Sequence, residues 1–186
     1  ELVHVHDPAA LDELLTEIEG ITRDRIHILF LTQEPLCWSS LQSVFEAAQQ
    51  DEEIEASLVY TPYFHKNYEA QNDYFEDYRA MSLPVIRWDA YTLAEHSPDA
   101  AFLIKPYANT PEPFQTKELE RVIPRLVYIP YGMEITTDLI RYAFRYYLHY
   151  RAWRHCAYGN IVKEYAETYG YRNGDNLVVW GHPKAD

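Results

Sequence analysis

The chain has 186 residues and sets 29 Asp and Glu against 16 Lys and Arg, a net charge of -13. A surface that acidic repels phosphate backbones and anionic lipid, which disfavours nucleic-acid binding as the main role. No apolar run approaches the roughly 20 residues that span a bilayer, and the opening ELVHVHDPAA lacks the basic-then-apolar pattern of a signal peptide.

The length suits one domain able to bury a sizeable core. With 47% hydrophobic residues, 24% charged residues and only 6 Gly, the composition is that of a folded globule. Cys37 and Cys156 lie far apart, form neither a metal nor a disulfide pattern, and fit a reducing compartment. Residue 1 is Glu rather than Met, and the chain closes on NLVVWGHPKAD, a strand-like run and a Gly-x-Pro turn. These ends raise the expectation of one domain taken from a longer enzyme.

Residues 8–20 read as a helix, with Asp7 as cap, Pro8 in the first turn and Gly20 as stop. Residues 1–24 are therefore an N-terminal arm with one helix. RIHILFL (25–31) is a compact apolar run and predicts a buried strand. In SSLQSVFEAAQQ (39–50), Leu41, Val44, Phe45 and Ala48 fall at helical spacing, with Ser39 as cap and Gln42 in the capping-box position. The pattern then alternates. Strands are predicted over 54–63, 83–89, 99–107, 125–132, 154–158 and 176–180, and helices over 67–80, 114–122, 136–150 and 160–170.

Alternating strands and helices predict a parallel sheet covered by helices on both faces. The expected fold is α/β, a Rossmann-like domain over residues 25–180 with about six or seven strands. Ligands of such sheets bind beyond the carboxyl ends of the strands. Three of the segments there carry Pro-Tyr, at Pro62-Tyr63, Pro106-Tyr107 and Pro130-Tyr131. Pro ends each strand because it has no N–H for the ladder. Three rim tyrosines and Trp38 would line an aromatic cleft; the plainer reading is that these residues stop strands and cap the core. The 17 Tyr and 4 Trp suit either.

No dinucleotide or P-loop fingerprint is present. No cofactor is expected. HVHD (4–7) pairs two histidines with an acid but has no distant partner cluster, so no metal is expected. Residues 141–155 hold four of the Lys and Arg plus two His. On one continuous helix, Arg141 and Arg145 would share a face while Tyr142, Tyr146, His149 and Trp153 line another. That face suits a phosphate or lipid headgroup, or simply a half-buried helix whose arginines offset an acidic surface.

The closing Gly181, Pro183, Lys184 and Asp186 resemble the Gly-x-Pro-(Arg/Lys)-x-Asp motif of CDP-glycerol glycerophosphotransferase-like proteins, the GT-B-type transferases similar to those that polymerise teichoic acid. ILFLTQEPLCWSSLQSVFEAA (28–48), PDAAFLIKPYANT (98–110) and RLVYIPYG (125–132) resemble further family stretches, in the family's order. The resemblance implies a bacterial, cytoplasmic enzyme of cell-wall synthesis, of which this chain is the acceptor-side first half. It leaves open peripheral contact with the inner membrane face in a longer protein. The implied partners are a nucleotide-linked donor, CDP-glycerol, held by a second domain, and a hydroxyl acceptor held here. The substrate-binding candidates are Trp38, Ser40, Tyr63, Tyr107, Asn109, Tyr131 and Gly132. Residues 181–186 would start the hinge, with Gly181, His182, Pro183 and Lys184 in it.

One position departs from the family. Where relatives carry a His ahead of Gly, thought to activate the acceptor hydroxyl, this chain has Tyr131 before Gly132. An unperturbed Tyr, with a pKa of about 10, does not suit proton abstraction near neutral pH. The resemblance therefore transfers no catalytic residue. Three functions follow: half of a glycerophosphotransferase, inactive alone; a non-catalytic glycan or polyol-phosphate binding module; or half of a GT-B glycosyltransferase using another nucleotide sugar. In each, GHPKAD is expected to be an exposed, extended tail.

Overall fold

A computed structural model describes residues 25–64, 72–133, 144–170 and 172–185. Seven strands form one all-parallel sheet: β1 (Ile26–Thr32), β2 (Ile54–Tyr60), β3 (Val85–Arg87), β4 (Ala100–Leu103), β5 (Arg125–Tyr128), β6 (Arg154–Ala157) and β7 (Leu177–Val179). Their order is β3-β2-β1-β4-β5-β6-β7. This is the Rossmann-like α/β arrangement, with a seventh strand added at one edge.

The strands are apolar runs because both faces of a parallel sheet are covered. Alternate residues feed opposite layers. From β1, Leu29 and Leu31 join Val59, Leu103, Leu126 and Leu148 on one side, while Phe30 joins Phe45, Leu58, Tyr78 and Val127 on the other. The second layer is aromatic: Phe30 stacks on Phe102 at 4.9 Å and meets Phe45 edge-on at 5.2 Å. Helices α1 (Gln42–Gln50), α2 (Phe75–Ala80), α3 (Leu93–His96), α4 (Thr116–Val122), α5 (Tyr147–Arg151) and α6 (Asn160–Tyr169) connect the strands.

Two local expectations are corrected. Residues 35–40 form a 3-10 turn, so α1 starts only at Gln42, with Leu41 at its cap and no side-chain capping bond from Ser39. Pro35 opens that turn, and its fixed φ favours a tight first turn. The basic stretch is not one helix to residue 155. It leaves helical geometry at buried Ala152 (φ -54°, ψ 133°) and enters β6, so Trp153 shares no helical face with His149. Trp153 packs instead under the Arg154 guanidinium, 4.4 Å from its ring centre. On α5, Arg151 pairs with Glu120 of α4 at 2.6 Å. The 8–20 helix, HVHD, Arg141 and Tyr142 lie outside the described residues.

The ending is also corrected. His182 is 6% exposed, and residues Pro183–Ala185 form a 3-10 turn rather than an extended tail. Gly181 has φ +83°, which reverses the chain, and the imidazole is then held by two hydrogen bonds. Its Nε2–H donates to the Pro130 carbonyl at 2.8 Å, and the Lys184 N–H donates to its Nδ1 at 3.2 Å. The β7 ladder has already ended at Val179, and the polar groups of the turn find partners in the loop after β5.

Candidate functional site

The sheet order places the site. β1 leads away to β2 on one side, and its neighbour β4 leads to β5 on the other. Their carboxyl ends therefore diverge, and a crevice opens between them. Gln33 and Glu34 follow β1; Lys105, Pro106 and Tyr107 follow β4.

The floor of the crevice is a cavity of about 20 Å³, lined by Gln33, Thr61, Lys105, Tyr107, Thr110 and Thr116 among others. That is room for one hydroxyl or one water. Gln33 is 4% exposed, yet among the described residues neither its carboxamide oxygen nor its nitrogen has a hydrogen-bond partner. The same holds for the Thr110 hydroxyl and the Asn109 side-chain oxygen. Buried polar atoms are normally paired, and an unpaired one costs about 1–3 kcal/mol. Those of Gln33 and Thr110 line one small hole and point to a group that enters from outside.

Lys105 supplies the charge. Its ammonium pairs with the Glu34 carboxylate and lies 5.3 Å from the Tyr63 ring centre and 5.5 Å from that of Tyr131. Cation–π contact of this kind holds an ammonium between two rings. Above it, the Tyr107 and Tyr131 hydroxyls lie 3.1 Å apart, and Tyr107 meets Tyr146 edge-on at 5.0 Å. Burial first, and then the hydrogen bond to Tyr131, push the Tyr107 phenol up from its ordinary value. It stays protonated near neutral pH and serves as a hydrogen-bond donor or acceptor, not as a base.

Among the expected site residues, Tyr63, Tyr107 and Tyr131 thus converge on one rim. Asn109 closes the same loop: its carbonyl accepts the Phe64 N–H at 2.8 Å while its side-chain oxygen stays unpaired among the described residues. Gly132 lies beside Tyr131, with no atom within 4 Å of where a Cβ would stand. Trp38 does not line the cleft. It is 3% exposed and packs edge-on against Phe45 and Tyr78, because the 35–40 turn folds it under α1. Ser40 is also buried, and its hydroxyl donates to the Tyr131 carbonyl at 3.2 Å, so it braces the rim from behind. Lys184 donates to that same carbonyl at 2.7 Å. Of the four hinge candidates, Lys184 thus touches the rim residue Tyr131 and His182 touches its neighbour Pro130.

The sequence reading missed Gln33, Glu34, Lys105 and Thr110. The available signal was polarity directly after an apolar strand, at Thr32-Gln33-Glu34 and Lys105. Choosing these two strand ends over five others requires the strand order. Among the described residues no group of three or more His, Cys, Asp or Glu could hold a metal ion, and no helix is long and apolar enough to cross a membrane. Compared with known families and with curated proteins, the chain matches no family model and no curated sequence.

Proposed function

We propose that this domain binds a polyol-phosphate acceptor in the β1/β4 crevice, as the acceptor-side half of a CDP-glycerol glycerophosphotransferase-like transferase. The observation that carries the reading is the set of unpaired polar atoms on Gln33 and Thr110 in the cavity that Lys105 also lines. A hydroxyl both donates and accepts, so one hydroxyl in the cavity satisfies the Gln33 oxygen and nitrogen in turn. Lys105 balances a phosphate. The rims of Tyr63, Tyr107 and Tyr131 lie where the carbon chain of a polyol would pass. The chain's closing motif and the order of its family-like stretches supply the transferase context, in which a second domain brings the nucleotide-linked donor.

A titration of this chain with short glycerol-phosphate oligomers tests the reading. Calorimetric binding of the oligomer, with none for CDP-glycerol alone, is the expected result. Absence of oligomer binding, or tight binding of the donor to this chain, overturns it.

The binding-module reading has one observation in its favour. Among the described residues the cavity lining contains no histidine, and burial keeps the Tyr107 phenol protonated near neutral pH. On that reading the domain recognises the polymer and no group in the crevice takes its proton. A longer form that binds oligomer but transfers nothing from CDP-glycerol would favour it.

A further inference from the structure

The crevice already holds an anion of the protein's own. Glu34 and Lys105 stand on the two strand ends that flank the switch point, 71 residues apart in sequence, and they form an ion pair there. The two partners are unequal. The Lys105 side chain is only 9% exposed, wedged between the rings of Tyr63 and Tyr131, whereas the Glu34 side chain is 34% exposed. The Glu34 carboxylate also accepts a weak hydrogen bond from the Cys37 thiol at 3.8 Å. Gln33, the residue before Glu34, carries the unpaired carboxamide.

We infer that Glu34 is an internal stand-in for the anionic group of the ligand, and that a phosphate ester on a hydroxylated carbon chain binds by displacing it from Lys105. The inference rests on the crevice being the ligand site. Three observations carry it. The cavity of about 20 Å³ admits a hydroxyl but not a phosphate, and the space against the ammonium is filled by the Glu34 carboxylate. A buried ammonium left without a partner is strongly unfavourable, so Lys105 exchanges one anion for another and does not stand bare. Glu34 is the partner that can leave, since its side chain is the more exposed of the two and its carboxylate regains hydration when it swings out. Neutral glycans offer nothing to replace it, so the pair also selects for charge. As Glu34 withdraws, the hydroxyl next to the phosphate reaches Gln33.

The test compares the chain with Glu34→Gln and Lys105→Met, titrated with glycerol phosphate, with inorganic phosphate and with glycerol. Glu34→Gln removes the competing charge while keeping a side chain that still bonds Lys105. It should bind glycerol phosphate about tenfold more tightly than the unaltered chain, the worth of roughly one charge-assisted hydrogen bond. Inorganic phosphate should gain in the same direction but bind more weakly, and glycerol should not change. Lys105→Met should abolish the gain. Far-ultraviolet circular dichroism confirms that each variant is folded. If glycerol phosphate binds the unaltered chain and Glu34→Gln binds it no better, the stand-in is wrong while the acceptor site survives. If no polyol phosphate binds either form, both fail. Equal affinity for inorganic and glycerol phosphate would remove the hydroxyl subsite at Gln33.

Discussion

His182 donates its Nε2–H to the carbonyl oxygen of Pro130 at 2.8 Å, across 52 residues of sequence. This one bond ties the segment after β7 to the loop that carries Tyr131. Ser40 and Lys184 converge on the next carbonyl, that of Tyr131, at 3.2 and 2.7 Å. The rim of the crevice is thus fastened from behind by two distant parts of the chain, the turn at Ser40 and the segment after β7.

His182→Ala should destabilise the domain by about 1–3 kcal/mol, because the Pro130 carbonyl is left buried without its donor. Gly181→Ala should cost about 1–2 kcal/mol through its positive φ alone, since nothing lies within 4 Å of the added Cβ. Urea unfolding measures both. An unchanged midpoint for His182→Ala would show that the turn is not held by this bond.

Gln33→Leu should separate stability from binding. The change removes two unpaired buried polar atoms and should leave the free domain as stable or about 1 kcal/mol more stable. Binding of a glycerol-phosphate oligomer should weaken by about tenfold or more, the worth of a hydrogen bond to a buried hydroxyl. A clear loss of stability would mean that the carboxamide is satisfied within the fold.

Trp38 and Tyr131, both expected in one cleft, should behave oppositely. Trp38→Ala should cost about 3–5 kcal/mol, the usual loss for a large buried aromatic. Tyr131→Phe removes a hydroxyl on an exposed rim and should change stability by less than about 0.5 kcal/mol. It should still weaken oligomer binding severalfold, because the 3.1 Å contact that orients Tyr107 is gone. Thermal melts and titrations of the two variants check the contrast.

His149 and His155 stack 5.3 Å apart within the fold. Burial, and for His149 also the neighbouring His155, lower their pKa values from 6.5 to about 3 and about 4. The unfolded chain therefore binds more protons than the native one between those values and 6.5. Stability is fully present above pH 6.5 and falls as the pH drops through that window. His149→Leu should flatten the decline between pH 6.5 and 4. Among the described residues its Nε2 has no partner and its Nδ1 accepts only the Tyr146 N–H, at 3.4 Å, so the variant forfeits about 1 kcal/mol at neutral pH. Equal acid sensitivity in both proteins would refute the assignment.

The two thiols, Cys37 and Cys156, are buried, and burial raises both pKa values, that of Cys156 to about 12. A thiolate reagent at pH 8 should modify neither in the native protein and both in urea. Fast native labelling of Cys156 would mean that the β6 layer opens readily.

The sequence by itself determined the class of fold. Strands buried on both faces are apolar at most positions, so runs such as IHILFLT and the LVY of β5 are legible without any partner, and Pro after a strand marks its end because it cannot extend the ladder. The tyrosines at those ends were legible for the same reason. Tertiary structure alone decided which of them share a site. That choice depends on β1 lying beside β4, a pairing over roughly 70 residues that no local pattern encodes. It also decided the direction of single side chains. Trp38 and Tyr131 are alike as sequence, yet a 3-10 turn sends one into the core and the loop after β5 holds the other at the rim. His182 looked free because its partner, the Pro130 carbonyl, belongs to the backbone, and backbone acceptors carry no signature in a sequence.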